Sequence, residues 1–238
     1  MDLSIIIPAY EESHKIRKDI ILADNFLNEN KFSGEIIVVD DGSMDDTFNS
    51  AAGCRINPEH ELTVLRNESN LGKGGAVRRG ILNSKGNFVM YHDAGATVPI
   101  SNALTGLALL KNNSCDIAIG SRKMPGSGIK KGQKLDRAVI SKVFGFSMRI
   151  LFGQLKQFSD TQCGFKIYKG DPARELYSES AVDGFIFEIE ILLLALKKKY
   201  VVIEFPVEWR CDRDSRISLF RSPWRVLADL IKIKRIGL

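Results

Sequence analysis

A run of β-branched residues that ends in two aspartates constrains this fold more than any other stretch. Residues 36–39 read IIVV, a composition typical of a strand that is buried on both faces of a parallel sheet. Asp40 and Asp41 follow at once, and the cluster 45–47 is suited to cap a helix. Ligands of open α/β sheets bind outside the carboxyl ends of the strands. We therefore expect the two aspartates either to hold a polar ligand or only to shape a turn.

Short apolar runs alternate with helical patterns from residue 3 to about residue 121. This alternation predicts an α/β fold with a mainly parallel central sheet flanked by helices, in a single domain over residues 1–238. The predicted strands are Ser4–Pro8, Glu35–Asp40, Glu61–Arg66, Asn87–Asp93 and Cys115–Ser121. The predicted helices lie near Ser13–Asn30, with Ser13 as its N-cap, and near Asp46–Arg55, Gly74–Ser84 and Pro99–Asn113.

The pattern changes after this region. Residues 124–134 hold three glycines and three lysines, which predicts a loop. A helix predicted over Arg137–Phe152 has a wide apolar side, so it either packs on the sheet or lies at a membrane interface. The remaining predicted elements are a strand near Phe165–Tyr168, a helix near Phe185–Lys198, a strand Val201–Val207 and a basic amphipathic helix from Ser222 to Ile236 with Trp224 at its head.

The net charge of +5 is unevenly distributed. Residues 122–170 hold 11 Lys and Arg against two Asp and Glu, and residues 209–238 hold eight against three. The rest of the chain is therefore acidic. Two basic segments on an acidic body favour one face that meets anions, such as phosphates or a membrane surface. Nucleic acid is not expected, because no recognition motif or interleaved aromatic pattern accompanies the charge.

Cysteine usage and hydropathy bound the cellular setting. The four cysteines are far apart and form no CxxC pair, so we expect reduced thiols and no zinc site. No apolar run approaches the roughly 20 residues that a membrane span needs. With a strand predicted from Ser4, we also expect no signal peptide. These features favour a cytoplasmic protein that contacts the cytoplasmic face of a membrane peripherally through its basic amphipathic helices.

Each predicted strand ends in polar or glycine-rich sequence at what should be one edge of the sheet. The glycines at 72, 74 and 75 open a predicted helix, where backbone N–H groups favour an anion. Neither a GxGxxG fingerprint after the first strand nor a GxxxxGK[ST] loop is present, which disfavours a dinucleotide dehydrogenase. His92 has no partner in the sequence and is expected to be structural.

Seven short motifs occur in the order seen in family-two glycosyltransferases with the GT-A fold. They are PAYEE at 8–12, VVDDGSMDDT at 38–47, NLGKGGAVRRG at 70–80, DA at 93–94, GSR at 120–122, DTQCGFK at 160–166 and FPVEW at 205–209. Within that family the chain resembles the transferases that act on polyprenyl phosphates, dolichyl phosphate among them. The resemblance implies inverting transfer of a hexose, from UDP-glucose in preference to GDP-mannose, to a polyprenyl phosphate at a membrane surface.

The same resemblance implies roles for individual residues. It assigns the nucleotide-sugar half to 1–121 and the acceptor half to 122–238. Nucleotide-sugar binding falls to Pro8, Ala9, Tyr10, Glu12, Val39, Asp41, Lys73, Asp93, Ala94, Gly95, Gln162, Arg210 and Arg216. The catalytic residues implied are Asp93, Arg122 and Asp160, and the acceptor-phosphate residues are Arg122, Arg137 and Ser141. Asp93 would also bind a divalent cation, Mg²⁺ or Mn²⁺.

Two positions depart from the family pattern and keep alternatives open. The family has Asp-X-Asp after its fourth strand, whereas this chain reads Asp93-Ala94-Gly95, so any cation should be weakly bound. Glu188 stands where an aspartate is common. A family-two transferase with a glycan or another lipid as acceptor is one alternative, and a nucleotide-sugar-binding protein that has lost catalysis is the other. The sequence does not set the oligomeric state.

Overall fold

The computed structural model describes residues 1–95, 97–131, 144–210, 223–235 and 237. The strands are β1 Leu3–Ala9, β2 Gly34–Asp40, β3 Glu61–Arg66, β4 Phe88–His92, β5 Ile117–Ser121, β6 Gly128–Lys131, β7 Phe165–Lys169, β8 Val202–Pro206 and β9 Glu208–Arg210. The α-helices are α1 Ile16–Glu29, α2 Thr47–Ala52, α3 Lys73–Leu82, α4 Ala103–Lys111, α5 over 144–151, α6 Gly170–Glu179, α7 Phe187–Lys197 and α8 Pro223–Arg235. Short 3-10 helices lie at Ile100–Asn102 and Gly153–Gln157.

The central sheet has seven strands in the order β3-β2-β1-β4-β7-β5-β8, and β6 pairs with β9 in a small separate sheet. Strands β1 to β4 run parallel to one another, and β5 runs parallel to β8. Strand β7 is inserted antiparallel between β4 and β5. The prediction of a mainly parallel α/β sheet is confirmed.

The core lies on both faces of this sheet. Every residue of β2 is buried, as its β-branched run predicted. On one face, apolar side chains of β1, β2 and β4 pack against α1, α2 and α4. On the other face they pack against α3 and α5 to α8. Helices cover both faces of the sheet, so the carboxyl ends of the parallel strands stay accessible. We call this side of the sheet the open edge.

Several predicted boundaries and one cap need correction. Ser13 is not the N-cap of α1, which is Lys15; the Ser13 amide instead donates to Asp45. Helix α2 is shorter than predicted and ends at Ala52. Helix α6 was not predicted. The start of the helix predicted over 137–152 lies outside the described residues.

Helices α5 and α8 each divide their apolar residues between the core and the surface. Met148 of α5 and Ile233 of α8 are buried in the core. Phe146 and Ile150 of α5 are 64% and 65% exposed, and Trp224 of α8 is 79% exposed. Packing on the sheet and an apolar outer face therefore coexist in both helices. Among the described residues, none of the helices is both long enough and apolar enough to cross a bilayer.

Candidate active site

The antiparallel strand β7 brings the DTQCGFK segment to the predicted edge. The parallel strands β1, β2, β4 and β5 all end there, at Ala9, Asp40, His92 and Ser121. Because β7 runs the other way, it begins where they end, and Phe165 pairs with His92. Residues 160–164 therefore lie beside the ends of β4 and β5.

Hydrogen bonds tie the segment after β1 to the segment after β2. The Glu11 amide donates to Ser43 Oγ at 2.8 Å, and the Glu12 amide donates to Thr47 Oγ1 at 2.9 Å. Glu11 has a positive φ of 52°, a conformation that these bonds help to fix. Tyr10 is 38% exposed at the end of the strand. Two segments that the resemblance assigned to the nucleotide are thus adjacent.

Asp41 organises the loop that leads into α3. Its carboxylate is buried and accepts hydrogen bonds from Asn67 Nδ2 at 2.6 Å, the Leu71 amide at 3.1 Å and the Gly72 amide at 2.8 Å. Neighbouring Asp40 is fully buried, with the Arg66 guanidinium 3.3 Å from its Oδ2. Both aspartates therefore shape this edge, and the predicted contact of Asp41 with a nucleotide stays a prediction.

The remaining predicted nucleotide residues near these strands differ in accessibility. Val39 and Ala9 are 0% and 3% exposed and pack in the apolar core, so neither side chain is accessible at the edge. Pro8, Glu12, Ala94 and Gly95 are partly buried.

The glycines that open α3 serve close packing. A Cβ on Gly74 would lie 2.6 Å from the Val182 carbonyl oxygen. Gly72 has a φ of +117°, and its amide already donates to Asp41. The Gly75 amide donates to the Asp183 carbonyl at 3.2 Å. Two amides at this end of the helix are therefore used by the protein itself, and the binding of a ligand anion by this helix end stays a prediction.

Lys73, the first residue of α3, forms an ion pair with Asp93 after β4. Its Nζ lies 2.8 Å from Asp93 Oδ1 and 3.7 Å from Glu188 Oε1. The side chains of Lys73 and Asp93 are 18% and 27% exposed, so the pair faces the open edge. Burial lowers the pKa of Lys73, but the Asp93 and Glu188 carboxylates outweigh it, so the net shift is upward. Lys73 therefore carries its positive charge at neutral pH.

Glu188 is a buried anion beside Lys73. It is 2% exposed, accepts a hydrogen bond from Tyr91 Oη at 2.6 Å, and lies 3.5 Å from Lys166 Nζ. Burial raises its pKa, but the positive charges of Lys166 and Lys73 and the Tyr91 hydrogen bond outweigh burial and lower it overall. Sequence reasoning noted Glu188 only as a departure from the family pattern. Its contact with two lysines from distant segments had no local signal.

The loop after β4 is closely packed around Asp93. A Cβ on Gly164 would overlap Asp93 Oδ2, so only glycine leaves room for that carboxylate. Gly95 has a φ of +88°, and its amide donates to the buried carboxylate of Asp19 at 2.8 Å. Burial is the main cause of a raised pKa at Asp19. His92 is buried and donates from Nε2 to the Val98 carbonyl, so its predicted structural role is confirmed.

Arg122, directly after β5, forms a second ion pair with Asp160. The Arg122 Nε and Nη2 atoms lie 2.7 Å and 2.9 Å from the two carboxylate oxygens, a bidentate arrangement. Burial raises the pKa of Asp160, but its bonds to Arg122 outweigh burial and lower it to about 2. Arg122 also stacks over Trp209, whose ring centroid is 5.6 Å away. Arg122 and Asp160, two of the three predicted catalytic residues, are therefore one structural unit.

Gln162, one of the predicted nucleotide-sugar-binding residues, lies next to this pair. Its backbone carbonyl accepts a bond from Arg122 Nη2 at 3.2 Å. Both amide atoms of its side chain are buried, and neither has a hydrogen-bond partner among the described residues. A buried amide without partners costs about 1 to 3 kcal/mol, so these atoms are suited to a polar ligand.

Two cations that were not predicted surround the same pair. Arg149 of α5 donates to the Ser159 carbonyl at 2.9 Å. The pKa of Lys123 is lowered, mainly by burial. The Asp160 carboxylate acts to raise this pKa, and the charges of Arg149 and Arg122 lower it further. Glu204 of β8 accepts from the Ser159 and Asp160 amides and so fixes this segment. Lys123 follows Arg122 directly in the chain, whereas only the fold brings Arg149 to this pair, and neither cation lies in a motif.

The two ion pairs are electrostatic neighbours. The Arg122 charge contributes to the lowered pKa of Glu188, which itself contacts Lys73. Cys163 is buried beside Arg122, Asp160, Lys166 and Glu188; burial is the main cause that raises its pKa to about 12, so its thiol is inert at neutral pH. The two ion pairs are therefore coupled electrostatically through the buried charge of Glu188.

The described residues do not form a divalent-cation site. No group of three His, Cys, Asp or Glu suited to a metal occurs among them. Asp93 supplies one carboxylate, its Oδ1 is held by an ammonium group, and Gly95 contributes no side chain. Mg²⁺ and Mn²⁺ favour several oxygen ligands. Arg137, Ser141 and Arg216 lie outside the described residues, and only the backbone of Arg210 is described.

Comparisons with known proteins agree with this architecture. A model of Glycosyl transferase family 2 matches residues 4–176. The chain is 32% identical to a dolichyl-phosphate beta-glucosyltransferase of Dictyostelium discoideum, over 98% of this chain and 73% of the relative. It is 31% identical to the human protein of the same name, over 98% of this chain and 74% of the relative.

Solved structures share the fold at low sequence identity. Glucosyl-3-phosphoglycerate synthase of Mycobacterium tuberculosis, crystallised with Mn²⁺, UDP-glucose and phosphoglyceric acid, superposes with a TM-score of 0.71 at 18% identity, over 98% of this chain and 79% of that chain. Mannosyl-3-phosphoglycerate synthase of Rubrobacter xylanophilus gives a TM-score of 0.69 at 19% identity, over all of this chain and 75% of that one. The chain therefore belongs to glycosyl transferase family 2 and is a glycosyltransferase with the GT-A fold.

Proposed function

We propose that the protein transfers glucose from UDP-glucose to a polyprenyl phosphate, with inversion at the anomeric carbon. The observation that carries this choice is the similarity along the whole chain to dolichyl-phosphate beta-glucosyltransferases. The site is compatible with it, because Arg122 donates to the Gln162 carbonyl, and Asp93, which pairs with Lys73, lies against Gly164 two positions further along the same segment. A glycan or another lipid as acceptor stays the second candidate.

The chemistry needs positive charge more than it needs a strong base. A phosphate monoester is already ionised near neutral pH, so one of its oxygens can attack the anomeric carbon directly. The bond from that carbon to the β-phosphate oxygen breaks, and UDP leaves with the electron pair. The protein must bring two anions together and stabilise the departing diphosphate. We assign the acceptor phosphate to Arg122 and the donor phosphates to Lys73, the cations of the two ion pairs.

The two halves of the chain divide this task. We assign donor binding to residues 1–121, including Tyr10, Glu12, Asp41 and Lys73, within one domain over 1–238. Acceptor binding falls to residues 122–238, where Arg122, Lys123 and Arg149 cluster. Guanidinium groups pair bidentately with phosphate, which suits the arginines to a lipid phosphate.

We place the protein on the cytoplasmic face of a membrane, in peripheral contact. Trp224 and Leu227 of α8 are 79% and 49% exposed, while Ile233 of the same helix is buried. Lys232, Lys234 and Arg235 lie in its last turn. A helix with an apolar outer face and basic residues is suited to an anionic bilayer surface.

The direct test is transfer of radiolabelled glucose from UDP-glucose to a polyprenyl phosphate in detergent. We expect a glucosyl lipid with the inverted, β configuration by NMR, and none with the unphosphorylated alcohol. Arg122→Met should raise the acceptor KM by about tenfold or more, equivalent to a loss of at least 1.4 kcal/mol. The matched control is Arg174→Met, whose guanidinium pairs with exposed Asp171 at 2.7 Å far from the site. Transfer to a glycan, or to the unphosphorylated lipid, would contradict the proposed acceptor.

A further inference from the structure

The carboxylate of Asp93, which the resemblance assigned to a divalent cation, is paired here with the ammonium group of Lys73. We propose that Lys73 replaces the metal, so that the protein binds the diphosphate of its donor without a divalent cation. The inference rests on the proposed function to the extent that the donor is a nucleoside diphosphate sugar. It concerns the cation alone and not which base or sugar the donor carries.

The first argument is the contact itself. Lys73 Nζ lies 2.8 Å from Asp93 Oδ1, a charged hydrogen bond at the typical distance. The second carboxylate oxygen, Oδ2, packs against Gly164 so closely that a Cβ there would overlap it. A divalent cation at Asp93 would therefore have to displace the Lys73 ammonium group or bind the same Oδ1 atom beside it. In the second case the cation and the ammonium group would repel each other.

The second argument is that Lys73 is held in place. Glu188 Oε1 lies 3.7 Å from Nζ on the buried side. The rings of Tyr91, Phe185 and Phe187 have their centroids 5.5 to 5.9 Å from Nζ, within the range of cation–π attraction. An ammonium group has three donors, so Lys73 can keep Asp93 and still donate to a phosphate oxygen at the open edge.

The third argument is that the loop cannot supply the missing ligand. Gly95 takes the place of the second carboxylate and has no side chain. Its φ of +88° lies in a region that other residues rarely adopt. Its amide is also fixed by the buried carboxylate of Asp19. The backbone of this loop is therefore built around glycine, and one Gly95→Asp substitution would not simply restore an Asp-X-Asp site.

The test is calorimetric titration with UDP, in EDTA and then in Mn²⁺, with UMP as the ligand that lacks the second phosphate. We expect the affinity of the wild-type protein for UDP to change by less than about threefold between the two buffers. Lys73→Met should weaken UDP binding about tenfold or more, in both buffers, and leave UMP binding nearly unchanged. Lys73→Arg should recover part of the loss, because it restores the charge.

The matched control is Lys85→Met. Lys85 pairs with Glu61 at 2.9 Å, nearly the same distance, but on the exposed surface, so UDP binding should be unaffected. Circular dichroism and thermal unfolding confirm that each variant is folded. The two wild-type titrations need no variant, so the proposal remains falsifiable if Lys73→Met is unstable.

Two results would overturn the inference. The first is that Mn²⁺ increases the affinity of the wild-type protein for UDP about tenfold or more, and that Mn²⁺ has no such effect on Asp93→Asn. The other is UDP binding by folded Lys73→Met that equals the wild type. Failure of the proposed function gives a different pattern. If the protein binds GDP in place of UDP, without a metal and dependent on Lys73, the inference is supported and the proposed donor is contradicted. If it binds UDP in this way but transfers no glucose to a polyprenyl phosphate, the inference is supported and the proposed acceptor is contradicted.

Discussion

Asp160→Asn tests whether the Arg122–Asp160 pair is as strong as its geometry indicates. The substitution keeps the shape of the side chain and removes its charge. In the native structure both Asp160 oxygens accept bonds from Arg122, and the side chain is 2% exposed. The asparagine would instead present an NH₂ group to a guanidinium that can only donate. The result is a largely buried cation that has lost its counter-charge.

The expected loss follows from the pKa and from the burial. A shift of the Asp160 pKa from 3.8 to about 2 corresponds to about 2.4 kcal/mol in favour of the charged form of the folded protein. Removing one partner of a fully buried pair costs about 3 to 5 kcal/mol. The Arg122 side chain is 20% exposed, so water screens part of the loss. We expect a decrease of about 2 to 4 kcal/mol in the free energy of unfolding.

The pH dependence gives an independent check of the same pair. Because the folded pKa lies below the unfolded one, the carboxylate contributes its full stability above the unfolded pKa. That contribution is lost as the pH falls through the folded value of about 2. The difference between wild type and Asp160→Asn should therefore narrow by about 1 kcal/mol between pH 7 and pH 3.

Urea denaturation of both proteins at the two pH values measures these quantities. Asp171→Asn is the matched control, because Asp171 accepts from Arg174 at 2.7 Å but is 98% exposed. Its free energy of unfolding should change by less than about 0.5 kcal/mol. A loss below about 1 kcal/mol in Asp160→Asn near neutral pH, or a difference that stays constant as the pH falls, would refute the reasoning.

Three further substitutions follow from the same structure. Gly164→Ala places a methyl group against Asp93. It should lower the free energy of unfolding by about 1 to 3 kcal/mol in urea denaturation and reduce the affinity for UDP in calorimetry. No change in either quantity would show that this carboxylate is free to move. Glu188→Gln leaves buried Lys166 without its counter-charge and should cost about 3 kcal/mol in the same unfolding assay, whereas unchanged stability would contradict the ion-pair network. Trp224→Ser should weaken sedimentation with anionic vesicles while thermal unfolding stays the same, since this side chain is 79% exposed; equal vesicle binding would exclude α8 as the contact.

The sequence predicted the sheet well because its signals are local. Four β-branched residues at 36–39 specify a strand buried on both faces, and all of β2 is buried in the structure. The polar strand ends were expected at one edge, and parallel pairing of β1 with β2 and β4 places them there. The antiparallel direction of β7 was not predictable from Phe165–Lys169 alone, because its alternation is the same in either direction.

The partners of the charged residues could not be predicted, since they depend on long-range contacts. The motifs identified Lys73, Asp93, Arg122 and Asp160 as separate residues. Only the fold shows that they form two pairs, 20 and 38 positions apart in the chain. Glu188 is a further case, because its closeness to Lys73 requires α7 to pack beside α3 on the same face of the sheet.

The pairing explains how a cluster of cations can exist before any phosphate is bound. Unpaired, Lys73 and Arg122 would each lose hydration at this edge and would repel the other positive charges around them. Asp93 and Asp160 offset those charges and fix the two head groups in direction. An ammonium group has three donors and a guanidinium five, so neither pair exhausts its cation. There is therefore room in each pair for a phosphate to add without breaking it, and under the proposed function the substrates would meet cations whose orientation was set during folding.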